Sequence, residues 1–182
     1  MTTSSRIGKV LLAITLGVFA ACAGSDVTAP RLEKTPSDSA SNILGLFGPP
    51  RILWCPTSET ATQSAVVDAL GGLVSAGGTT ISIPAGALLG PTNVTVTVPA
   101  SNYMEVDISV EGVDHFLFEL PVAVTVSYAR CARFRTFFGV VTAWHIDSET
   151  KALLEAMPSV DNKLARSVTF ITGHLSGYAL AN

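Results

Sequence analysis

Three kinds of side chain in this 182-residue sequence have the types and spacing to do chemistry. The sharpest is the triplet His174-Leu175-Ser176, with an imidazole two positions before a hydroxyl. His115, His145 and His174 are far apart along the chain and lack a paired ligand spacing, and Asp107 and Asp114 form no EF-hand pattern. Zinc and calcium sites usually announce themselves through clustered ligands, so no metal site and no cofactor are expected. Gly173-His-Leu-Ser-Gly177 is not a G-x-S-x-G nucleophile elbow, because the serine is displaced by one place and no strand-to-helix turn follows. Arg130, Arg133 and Arg135 flank Cys131, with Phe134 between two of them. They offer an anion-binding or glycan-binding loop, though surface charges beside a cysteine are ordinarily just solvated. Asn93-Val94-Thr95 matches a glycosylation sequon.

The N-terminus supplies an address. Arg6 and Lys9 precede an apolar run from Val10 to Ala21, and no acid occurs in that stretch. A positive end, an apolar middle and small residues before a cut point make an export signal over residues 1–21, and the run is too short to span a bilayer. Phe19-Ala20-Ala21-Cys22 resembles the lipobox of bacterial lipoproteins, with Phe19 where Leu is preferred. That resemblance implies acylation of Cys22, which becomes the new N-terminus and anchors the chain to a membrane. Cys55 and Cys131 then remain as an even pair in an oxidising compartment. They are expected to form a disulfide, the alternative being two unrelated buried thiols.

Without residues 1–21, 161 residues remain, enough for one domain and a linker, and the net charge goes from −3 to −5. The charged fraction of 14% is low for a globular domain, and no basic field exists that would suit a nucleic acid. Residues 22–50, rich in Ser, Pro, Gly and Asp, read as a tether holding a small apolar island at Ile43–Phe47.

From Arg51 to Asn182 the pattern has period two. Met104, Val106, Ile108 and Val110 alternate with Glu105, Asp107 and Ser109, and the same rhythm governs Val94–Val98 and Val122–Ser127. Turn residues such as Pro84-Ala85-Gly86 and Gly90-Pro91-Thr92-Asn93 separate the runs. The expectation is an all-β fold, an antiparallel β-sandwich, with Pro84–Leu88 in a turn leaving a strand. Gln63–Leu70 and Lys151–Met157 read equally as strand or short helix. His174, Ser176, Tyr178 and Leu180 are expected to share one face of a single last strand, with the Tyr178 hydroxyl hydrogen-bonded. Trp54 and Trp144 are expected to pack in the core or at its rim.

The segment Gly71–Leu88, with its Gly-Gly turn and Ile83-Pro84-Ala85-Gly86-Ala87, resembles the ZU-five domain of zona-occludens proteins, netrin receptors, ankyrins and exported bacterial relatives. Glu111-Gly112 with Phe116, Phe118, Pro121 and Val122 is similar to that family's middle passage, and His174–Leu180 to its bacterial ending, so the resemblance covers residues 63–181. It implies a sandwich used for protein contacts rather than catalysis, with an envelope or extracellular protein as partner. The triplet at 174–176, followed by Tyr178, also resembles the self-cleavage site of adhesion-receptor ectodomains and of some ZU-five proteins. That second resemblance implies His174 as the base and Ser176 as the nucleophile on the Leu175 carbonyl, a reaction that needs a strained peptide and an oxyanion donor.

Overall fold

The computed structural model describes residues 48–113, 115–132, 136 and 139–182. The signal, Cys22, the tether as far as its apolar island at 43–47, Asp114, Arg133, Phe134 and Arg135 lie outside the described residues.

Among the described residues, alternation of branched apolar and small polar side chains yields thirteen strands: β1 (Trp54–Thr57), β2 (Ala61–Val67), β3 (Gly72–Ala76), β4 (Thr79–Ile83), β5 (Thr92–Val98), β6 (Ser101–Tyr103), β7 (Glu105–Val110), β8 (Leu117–Ser127), β9 (Thr142–Ile146), β10 (Leu153–Ala156), β11 (Ser159–Asn162), β12 (Ser167–His174) and β13 (Gly177–Ala181). One sheet has the order β10-β9-β13-β7-β5-β2, and the other β11-β12-β8-β4-β3. A two-stranded ribbon pairs β1 with β6. Every pairing is antiparallel. The chain is an antiparallel β-sandwich. Gln63–Val67 and Leu153–Ala156, ambiguous in sequence, are strand.

The core forms where the two inner faces meet. On β7, Val106, Ile108 and Val110 point inward with Val94, Val96 and Val98 of β5, while Ile81, Val122, Val124, Val126, Val168 and Phe170 answer from the other sheet. Fully burying such a side chain contributes about 1.5–3 kcal/mol, so this double layer supplies the main drive for closing the sandwich. Gly71 has φ +79°, and a Cβ there would stand 2.3 Å from the Ile83 carbonyl oxygen, which is why the turn into β3 needs glycine. Chain leaves β4 at Pro84, where the ladder ends, as its missing N–H requires.

Cys55 and Cys131 are joined in a disulfide. Both are buried, and the bond ties the peripheral ribbon strand β1 to the segment after β8. Trp54 is 46% exposed and packs edge-on against Tyr103, so it belongs to the rim.

The expected single last strand is two strands. β12 ends at His174 in the five-stranded sheet, residues 175–176 cross over, and β13 begins at Gly177 in the six-stranded sheet. The crossover is held from both sides: Leu175 N–H donates to the Phe116 carbonyl at 3.0 Å, and the Ser176 carbonyl accepts from Ile108 N–H at 3.1 Å. Gly177 sits so close to Ser148 that a Cβ would lie 2.6 Å from its Oγ.

Candidate functional site

The crossover from β12 to β13 brings a group of polar side chains together. Tyr178, one residue into β13, faces inward and packs on Phe170 with ring centroids 4.9 Å apart. A buried phenol needs partners, and this one donates to the His174 carbonyl at 2.6 Å and meets the Thr172 hydroxyl at 2.9 Å. Burial, with the Glu155 and Asp107 carboxylates adding to it, pushes its pKa up to about 12, so it is a proton donor at neutral pH. The expected hydrogen-bonded tyrosine is therefore present, within a different strand arrangement.

The histidines, distant in sequence, do not remain distant. His145 on β9 is the register partner of Tyr178 on β13, and partners in an antiparallel pair point to the same side. His174, at the end of β12, reaches the same place from the other sheet, and the two imidazoles lie with centroids 5.3 Å apart. Glu155 on β10 is the register partner of His145. One donor atom each from His145, Glu155 and His174 falls within 4.8 Å of the other two. His145 and His174, which lack a paired ligand spacing in the sequence, are thus brought together in space with a carboxylate. Burial lowers the His145 pKa and the neighbouring His174 adds to this, while the Glu155 carboxylate works against it. His115 is exposed and stands outside the group.

Ser176 is half-buried in the crossover, and Leu175 is buried beside it. The ring partners of His174 are His145 and Tyr178, and among the described residues no hydrogen bond joins His174 to Ser176. Left-handed backbone at non-glycine positions occurs at Lys151 and Arg166 among the described residues, both away from the Leu175–Ser176 peptide.

Arg130 is exposed. The cation that engages the adjoining turn is instead Arg166, which donates to the carbonyls of Tyr128 and Cys131. Beside it lies a second buried polar group. Asp161 accepts from the Tyr128 hydroxyl at 2.6 Å and Val141 N–H at 2.9 Å, and pairs with Lys163 at 2.7 Å. Burial opposes ionisation of Asp161, but the Lys163 ammonium, the Tyr128 hydroxyl and the Val141 N–H outweigh it and hold its pKa below the usual carboxylate value.

The outer faces of the two sheets differ in character. On the six-stranded sheet, Asp107 of β7 is half-buried and Lys151 bridges at 2.6 Å to Glu105, whose own side chain is buried. Burial raises the Asp107 pKa, with Lys151 opposing. On the five-stranded sheet one cross-strand row reads Leu73, Ser82, Ala123, Ile171, and the next reads Ser75, Thr80, Thr125, Thr169, Val160. Hydroxyls pair along the second row, Ser75 with Thr80 at 2.8 Å and Thr125 with Thr169 at 2.9 Å. These rows hold no charged side chain, and Leu73 and Val160 are 68% and 72% exposed. The chain matches no protein-family model and no curated protein.

Proposed function

We propose that the protein is an exported, lipid-anchored module of the bacterial cell envelope, a ZU-five-type β-sandwich that acts by non-enzymatic contact with another protein. Two adjacent uncharged rows on the outer face of the five-stranded sheet carry this reading. Contact surfaces are depleted of charge at their centres, because burying a charge costs far more than burying a paired hydroxyl or an aliphatic side chain. Leu73, Ser82, Ala123 and Ile171 form such a centre, bordered by hydroxyls that already satisfy one another.

The address rests on the Arg6–Cys22 signal, and the Cys55–Cys131 bond supports an oxidising compartment. The segments that resemble ZU-five domains fall on β3–β4, β8 and β12–β13, spread across both sheets, which supports a resemblance of the whole domain rather than of one motif. The partner is an envelope or extracellular protein, reached from a membrane anchor at Cys22.

Two variants separate anchoring from contact. Cys22→Ser is expected to move the protein from the membrane fraction to the soluble one. Wild type is expected to run as a larger native complex after mild detergent extraction, and Ser82→Lys, at an exposed position, to stay membrane-bound and folded but to lose that complex. Membrane retention of Cys22→Ser contradicts the anchor, and an unchanged complex in Ser82→Lys contradicts the contact face.

A further inference from the structure

We propose that His145, Glu155 and His174 form a binding site for a borderline divalent transition-metal ion, with Zn2+ the ion their chemistry suits best. Two imidazoles and one carboxylate are a donor set such ions favour, and three protein ligands leave a fourth position for water or for a group from a partner. The placement comes from the fold. Register fixes Glu155 opposite His145 on β10 and β9, and the β12 terminus brings His174 across from the other sheet.

The three donor atoms already stand within 4.8 Å of one another. Bonds of about 2.0–2.1 Å in a tetrahedral site place ligand atoms roughly 3.3 Å apart, so binding requires the three side chains to draw closer by about 1.5 Å at most. Among the described residues no hydrogen bond or ion pair joins Glu155 to either imidazole, so the donors converge without satisfying each other.

A supporting shell is in place for His174. The Tyr178 hydroxyl has one proton, which goes to the His174 carbonyl at 2.6 Å. Its contact with His174 Nδ1, at 3.4 Å, is then one in which Nδ1–H donates. That tautomer leaves the lone pair on Nε2, the arrangement in which a second hydrogen bond orients a metal-ligating histidine. A bound ion would tie β9 and β10 to the end of β12, bridging the two sheets at the crossover.

The test uses the untagged full chain in detergent, stripped with chelator and titrated with Zn2+ by calorimetry and with Co2+ by visible absorption. Expected are one saturable equivalent, the intense bands of tetrahedral Co2+, displacement of Co2+ by Zn2+, and a rise in the thermal midpoint. His145→Gln and His174→Gln are each expected to weaken binding at least tenfold, while His115→Gln binds like wild type. Glu155 is exposed, so Glu155→Gln keeps the fold and decides the matter should a histidine variant fail to fold. Absence of saturable binding in wild type, or equal affinity in Glu155→Gln, overturns the proposal.

Discussion

Breaking the Cys55–Cys131 bond should remove a constraint that acts mainly on the unfolded chain. The two cysteines are 76 positions apart. For a loop of that length the chain-entropy relation gives about 15 cal/mol/K, or about 4.5 kcal/mol at 25 °C, as an upper value. Domains of this kind have roughly 5–15 kcal/mol in all, so the bond is a large part of the stability. The native side is also exposed to its loss. β1 pairs with the three-residue β6, with registers at Trp54–Tyr103 and Thr57–Ser101, so the ribbon relies on Leu53, whose N–H donates to Leu180 and whose carbonyl accepts from Met104. Urea unfolding of the oxidised and reduced protein, at equal protein concentration, measures the difference. A loss of about 2–4.5 kcal/mol is expected, with the midpoint falling and the folded spectrum kept. A change below about 1 kcal/mol refutes the reasoning, since the reduced chain would then be no freer in its unfolded state.

The Asp161 group and the crossover give two further tests. The Asp161 carboxylate has its pKa depressed on folding, so its contribution is complete above the unfolded value near 3.9 and is lost as pH falls through the folded value. Asp161→Asn should therefore cost about 2 kcal/mol at pH 7 and show a flatter decline of thermal midpoint below about pH 4; parallel pH profiles for variant and wild type rule this out. The chain is expected to remain unbroken at Leu175–Ser176, because His174 is engaged with Tyr178 and both flanks of the crossover are hydrogen-bonded. Denaturing intact mass checks it: loss of the Ser176–Asn182 peptide from wild type, but not from Ser176→Ala, contradicts it.

Much of the sandwich was legible because one-face burial writes itself into sequence with period two. Val106, Ile108 and Val110 are buried while Asp107 and Ser109 are more exposed, as their alternation predicts; Glu105 departs from it, buried and paired with Lys151. The disulfide was legible from compartment and parity. The ending at 174–180 was not, because nothing local says that a strand will change sheets; that depends on β13 finding β7 and β9 as neighbours, and on the close approach of Gly177 to the Ser148 side chain. The His145–Glu155–His174 group escaped for a related reason. Its assembly needs the β9–β10 register, which slips between Leu153 and Glu155, and a third residue delivered by the opposite sheet. Hairpin spacing between His145 and Glu155 was the one signal present, and a register slip reverses which face such spacing predicts. The two uncharged rows were hidden similarly, since they are assembled from β3, β4, β8 and β12.

The central claim, that the five-stranded sheet meets another protein at the envelope, is tested most directly by site-specific photocrosslinking in intact cells. A photoreactive side chain at Ser82 or Ile171 samples that face, one at Ser64 or Thr95 samples the outer face of the other sheet, and one at the fully exposed Leu164 samples a turn. The account predicts one discrete adduct from Ser82 and Ile171, absent from the other positions. Equal adducts from all positions, or a discrete adduct confined to Ser64 and Thr95, would contradict it.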